Sequence, residues 1–177
     1  AAHVADKEYK GLNALDSLVD FYKRLKELEE TFDKPHLLGC IITEGGTAPN
    51  IVPDRATLKA TVRALDTDYL EDVMLPQIKE LAAEVAKDHH TPVETEHYEP
   101  LYKNMINNAA LNVYFIEASN ALHEEFGVYE EEDAEGSTDV GNVSHVTRAA
   151  QPEIAIGYHI NAHTPEFATA ANSDFRS

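Results

Sequence analysis

Leu12, Leu15, Val19, Tyr22, Leu25, Leu28 and Phe32 recur at spacings of three and four. This is the mark of an amphipathic helix whose other face, here rich in Lys and Glu, meets water. Pro35 stops that helix. The run "HLLGCIIT", from His36 to Thr43, is almost continuously apolar and reads as a strand buried on both faces; the turn-forming "EGGTAPN" follows it. Between Arg55 and Ala64 the alternation is strict. Ala56, Leu58, Ala60, Val62 and Ala64 share one face, and Arg55, Thr57, Lys59, Thr61 and Arg63 share the other, as in a half-buried antiparallel strand. From Asp66 onward Leu70, Val73, Met74, Ile78, Leu81 and Val85 return to helical spacing, with Asp68 and Glu71 placed as a capping box. Pro76 within that pattern predicts a kink or a later helix start. "PVETEHY", from Pro92 to Tyr98, reads as a short charged strand suited to a sheet edge.

Helix, strand, strand, helix, strand becomes a split β-α-β unit if one further strand precedes Ala1. The expected architecture is an α+β layer with a four-stranded antiparallel sheet and two helices, its first strand cut, ending near Tyr98. A second unit opens on "NNAALNVYFIEASNALHEEFG", a helix with Leu111, Tyr114, Phe115, Ala118, Leu122 and Phe126 on its apolar face and Gly127 closing it. The acidic run Glu130 to Asp133 is a solvated loop on this reading, since adjacent like charges repel and rarely form a cation cage. "GSTDVGN" is a glycine-bounded loop, and "EIAIGY" is a short buried strand.

Charge removes whole classes of function. With 14 Lys and Arg against 32 Asp and Glu, the net charge of -18 leaves no cation cluster to neutralise nucleic-acid phosphates, and an anionic membrane would repel the chain. No stretch reaches the roughly 18 apolar residues needed to span a bilayer. The single cysteine, Cys40, has no internal disulfide partner and sits in an apolar run, which fits packing and a cytoplasmic setting. The opening "AAH" has no capping or leader character, a second hint that a longer chain was cut.

Three polar residues stand out by position. His163, in "IGYHINAHTPEF", follows a strand and a turn, where folds present functional groups on loops; a neutral imidazole there could ligate a metal, or simply be structural. Its neighbour His159 is four residues away, but two histidines do not close a site that needs at least three ligands. Arg63 lies on the polar face of a regular strand, and its planar fork suits a carboxylate, the alternative being an ordinary surface ion pair. Asn50, in "APNIVPD", is stiffened by two prolines and could hold a ligand or only form a turn. The remaining histidines sit at element ends, on polar faces or in loops, where capping or solvated roles suffice.

Taken in order, "AAHVADKEYKGLNALDSL", "GGTAPNIVPDRATLKATVRA", "GSTDVGNVS" and "HTPEF" resemble landmarks of the dimetal metallopeptidase and amidohydrolase family. That family includes aminoacylases, acetylornithine deacetylase and aminobenzoyl-glutamate hydrolases, and the resemblance is nearest to its amidohydrolase and dipeptidase subgroup. It implies a lid and dimerisation domain over residues 1–98, followed over 99–177 by an incomplete C-terminal portion of an α/β catalytic domain. It implies that His163 is a metal ligand and that His3 steadies the oxyanion in a partner subunit's site. Asn50 and Arg63 would hold the substrate's carboxylate, Ser137, Thr138 and Asp139 would line the site, and His159 would stay structural. The implied reaction is hydrolysis of the amide bond of a dipeptide or N-acyl amino acid by two divalent metals, zinc first, in a homodimer. The family's N-terminal half, with the other ligands and the glutamate base, has no counterpart in these residues. The expectation is therefore a fragment that is inactive alone and retains no metal pair; the alternative is a non-catalytic dimerisation or binding module.

Overall fold

The computed structural model describes residues 2–3, 11–121, 136–153, 160–161 and 163–172, and divides the chain into two compact units, Ala1–Asn104 and Met105–Ser177. In the first unit β1 (Ala2–His3) is followed by α1 (Ala14–Glu29), β2 (His36–Glu44), β3 (Ile51–Val52) and β4 (Thr57–Ala64). A long helical segment then runs from α2 (Thr67–Tyr69) through a π-helical stretch (Leu70–Met74) into α3 (Leu75–Asp88). The π-helical stretch ends at Met74, and Pro76 follows in the first turn of α3, where its fixed φ suits the helix. The expected interruption is thus a π-helical stretch leading into α3. The cap differs from expectation: Asp66, not Asp68, accepts from the Tyr69 amide, and Lys34 binds its other oxygen at 2.6 Å. The lysine first and the backbone donor next hold the Asp66 carboxyl below the usual carboxylate range.

β2 and β4 pair antiparallel with Leu38 opposite Val62, Cys40 opposite Ala60 and Ile42 opposite Leu58, then slip at a bulge before Glu44. Parity assigns the faces. Leu38 and Val62 pack with Leu25, Phe32, Tyr69, Leu70 and Met74 in the core beneath the helices. Leu37, Gly39 and Ile41 therefore face outward beside Arg63, Thr61 and Lys59, and Leu37 and Ile41 are 55% and 63% exposed. The reading of "HLLGCIIT" as buried on both faces is corrected: helices cover one face only.

Among the described residues the sheet is two separate antiparallel pairs, β2 with β4 and β1 with β3, and not one four-stranded sheet. Pro92 to Tyr98 forms no strand. Its glutamates and histidine leave no apolar stripe to bury, and residues 92–98 are all exposed. Tyr98 meets β4 through its side chain instead, with its hydroxyl 3.2 Å from Thr61 Oγ1 and 3.4 Å from the Ala60 carbonyl.

A polar network joins α1 to the end of α3. Arg24 donates to Asp20 and to Asp88, and His89 Nε2 donates to Asp20 at 3.0 Å. The His89 hydrogen bond, then that of Arg24, keeps the Asp20 carboxyl below its ordinary range. The helix closes with His90 at φ 54, its N–H on the Lys87 carbonyl and that of Thr91 on Ala86, which is a Schellman cap with histidine where glycine is usual. Replacing His90 by Gly removes the steric penalty of that left-handed position. It is expected to stabilise the chain by about 0.5–1 kcal/mol in urea unfolding.

The second unit holds α4 (Ala109–Ala121), α5 (Val140–Ser144) and α6 (Pro165–Ala171). Asn107 bridges Ala149 in parallel, and Ser144 Oγ accepts from the Ile106 amide. α4 turns Asn112, Phe115, Ile116 and Ser119 inward, while Leu111 and Tyr114, on the expected apolar face, are exposed. With Leu111, Val113, Tyr114, Phe115 and Ile116 in one turn and a half, apolar residues surround the helix and periodicity selects no face. The "GSTDVGN" loop is helical from Val140. Leu122, Phe126, Gly127, the acidic run and most of "EIAIGY" lie outside the described residues, as does His159. No described helix is long and apolar enough to cross a membrane.

Candidate functional site

The loop that carries Asn50 is fastened to the start of α1. Asn13 caps that helix by accepting from the Leu15 and Asp16 amides, and the Ala14 amide reaches the Pro53 carbonyl at 3.1 Å. Gly45 lies against Leu15, where an added Cβ would come within 3.1 Å of Leu15 Cδ1. Gly46 adopts φ +112 with Pro53 so near that a Cβ would sit 2.8 Å from it, so both backbone angle and space demand glycine. The Ile51 amide closes a turn on the Ala48 carbonyl at 3.1 Å, with Pro49 and Asn50 at its centre. Asn50 has negative φ, as a type I turn requires, and is exposed. It is a turn residue, and its side chain faces solvent.

Pairing of β1 with β3 sets His3 opposite Ile51, one residue from Asn50. His3, in β1, is thus brought to the end of the turn that carries Asn50, from a distant part of the sequence. Two-residue strands carry no alternation, so no signal in the hydrophobic pattern could have revealed it. Arg63 belongs to the other sheet, opposite Leu37 on the outer face of β4. It is exposed, and among the described residues it makes no ion pair.

His163 stands in the second unit with φ 64, left-handed and not glycine. Such a backbone costs on the order of 1–2 kcal/mol and concentrates at functional positions. It immediately precedes Thr164, which caps α6: the Thr164 hydroxyl accepts from the Phe167 amide at 3.2 Å and donates to the Asn161 carbonyl at 2.8 Å. Pro165 fills the first helical position. "HTPEF" therefore folds as a left-handed residue, a cap and a helix start, which leaves the His163 imidazole exposed. Ser137 is exposed and Thr138 half-buried, its hydroxyl accepting from the Val140 amide, while Asp139 begins α5.

Among the described residues no three His, Cys, Asp or Glu side chains come together to hold a metal ion. One exposed imidazole does not make a metal centre, and no chemistry through a metal follows from these residues by themselves.

The Xaa-Arg dipeptidase of Mus musculus is 33% identical over 180 residues, covering 98% of this chain and 40% of that protein. The human Xaa-Arg dipeptidase is 31% identical over 176 residues with the same coverage. The chain spans about 40% of the length of these curated relatives. The family model described as a peptidase dimerisation domain, the M20 dimerisation domain, matches residues 1–90. Since that match takes in half of the 177 residues, the chain belongs to the M20 family of metallopeptidases and amidohydrolases.

Proposed function

We propose that these residues form part of a metal-dependent hydrolase that cleaves the amide bond of dipeptides or N-acyl amino acids. Residues 1–98 would be its lid and dimerisation domain, and 99–177 a portion of its catalytic domain. The observation that carries the reading is the strand pairing that sets His3 beside the Asn50 turn within the matched dimerisation domain. That pairing places a histidine position within one residue of the Asn50 turn, two hydrogen-bonding residue types at one end of the matched domain. In this reading Asn50 and Arg63 hold the substrate's carboxylate, the guanidinium by a bidentate pair of hydrogen bonds. His3 donates to the oxygen on which negative charge develops. His163 contributes one ligand to a pair of divalent metal ions, zinc the first choice, and the protein works as a homodimer through the lid in the cytoplasm.

The likeness to Xaa-Arg dipeptidases supports peptide substrates, and the 40% coverage supports a site completed by residues beyond these. The 177-residue chain alone is accordingly expected to be inactive. The test is a panel of dipeptides and N-acyl amino acids offered to the full-length protein, with and without a chelator. Chelator-sensitive release of amino acid is the expected result. No hydrolysis of any member with metal supplied would leave a binding or dimerisation module.

A further inference from the structure

Asn13 organises the amides of the first turn of α1. Its Oδ1 accepts from the Leu15 amide at 3.0 Å and the Asp16 amide at 3.4 Å, and its carbonyl accepts from Ser17, the first bond of the helical ladder. The Ala14 amide is left over. It points out of the helix and donates to the Pro53 carbonyl at 3.1 Å, so the hydrogen bonds of this helix start are completed by a residue far along the chain. Pro53 closes the loop that carries Asn50.

That bond matters because the loop is not packed solid against the helix. A cleft of about 440 Å³ opens between them, lined by Asn13 and Leu15 on one side and by Thr47, Pro49 and Ile51 on the other. Among the described residues the Ala14 to Pro53 bond is the only backbone hydrogen bond between residues 45–53 and a helix. The other hold, Gly45 against Leu15, falls on the same helical turn. Pairing with β1 adds a ladder of two residues. Within the loop the Ile51 amide closes on the Ala48 carbonyl, which shapes the Asn50 turn without locating it. Location comes from the helix, since Asn13 sets its first turn and that turn holds both ends of the loop. A turn held over open space keeps its shape but loses its place when a hold is released.

We propose that Asn13 is a positioning residue for hydrolysis: through the Ala14 to Pro53 bond it fixes where the Asn50 amide stands when substrate binds. This rests on the reading of Asn50 as a holder of the substrate's carboxylate. Asn13 acts through the helix start, its own side-chain oxygen being engaged there. An amide displaced by an ångström or so loses the distance and angle that a hydrogen bond needs. Such a loss weakens the ground state and the transition state alike, so it raises KM and leaves kcat.

The test measures kcat and KM of the full-length protein for the dipeptide it cleaves best in the panel, with Asn13→Gly, Asn13→Asp, Asn50→Ala and the Asn13→Gly, Asn50→Ala double variant. Glycine removes the side-chain acceptor at little loss of stability, which keeps the variant folded, and aspartate restores the cap. Asn13→Gly is expected to raise KM roughly fivefold, the worth of one hydrogen bond, with kcat within about twofold. Asn13→Asp should stay within about twofold of the parent in both. In the Asn50→Ala background the glycine change should raise KM less than about twofold, because a residue that acts through another adds nothing once the other is gone. Asp66→Ala removes the cap of α2 instead and should leave KM within about twofold of the parent. Additive losses in the double variant, an unchanged KM in Asn13→Gly, or an equal rise in Asp66→Ala would reduce Asn13 to an ordinary cap and overturn the inference. Hydrogen exchange gives a readout free of catalysis: Asn13→Gly should speed exchange of the Ala14 and Ile51 amides and leave those of β2 and β4 as they are. If no dipeptide is cleaved, the hydrolase reading fails by itself. Exchange then decides whether Asn13 holds the loop, and unchanged rates at Ala14 and Ile51 overturn it.

Discussion

Replacing His163 by glycine in the full-length protein is expected to lower amide hydrolysis by more than about a hundredfold, since even partners that only orient metal ligands are each worth ten- to a hundredfold. Glycine is the informative choice. At φ 64 alanine removes the imidazole but keeps the left-handed strain, whereas glycine removes the imidazole and relieves the backbone. If the position mattered only for turning the chain into α6, His163→Gly would be active and at least as stable as the parent. If the imidazole is what matters, His163→Gly and His163→Ala should be equally inactive, and metal content measured on the purified protein should fall in both. The neighbouring cap gives the control. Thr164→Ser keeps the hydroxyl between the Phe167 amide and the Asn161 carbonyl and should retain activity. A His163→Gly protein with parental rates and parental metal would remove His163 from the site.

That histidine also marks the limit of what the sequence displays. It was read as a loop position after a strand and a turn, and the cap and helix that follow it, with threonine before a proline at the first turn, went unread although they are local chemistry. Its left-handed backbone was not legible, since nothing in a histidine's neighbours announces positive φ. The same division runs through the fold. β4 was plain from Arg55 to Ala64 because one covered face imposes a period of two, and the interruption near Pro76 was plain because proline lacks a donor. The pairing of His3 with Ile51 was hidden, since it joins residues 48 apart through strands of two residues each. "PVETEHY" alternates well enough to imitate a strand, yet side-chain alternation says nothing about whether a neighbour offers its backbone. Arg63 and Asn50 were singled out as chemistry, but their exposure and the absence of a described ion pair at Arg63 depend on the faces that pairing created.

Leu25→Ala is expected to cost about 2–5 kcal/mol of stability, whereas Val19→Ala, on the same helix and in the same apolar pattern, should stay within about 0.5 kcal/mol. Both residues belong to the stripe read at spacings of three and four, and on hydrophobicity alone they are equivalent. The structure separates them: Leu25 is 0% exposed and Val19 is 49% exposed. The cause is the mismatch between a repeat averaging about 3.3 residues and a helix of 3.6 residues per turn, which makes a stripe drift around the axis as it lengthens. Leu12, Val19 and Tyr22 of the stripe are exposed, and Leu15 is half-buried against Gly45; the line that packs on the core is instead Ser17, Phe21, Leu25 and Leu28, at spacings of four, four and three. Leu25 packs in the cluster with Phe32, Leu38, Tyr69, Leu70 and Met74, of which Met74 is also 0% exposed, so the cavity left by alanine has walls from both helices and from β2. Those walls join all the layers of the first unit and cannot collapse together without moving the helices, which places the cost toward the upper part of the range. Urea unfolding of the two variants side by side measures the difference. Equal losses would mean that α1 is rotated about its axis relative to this packing, and with it the face of β2 and β4 that carries Arg63.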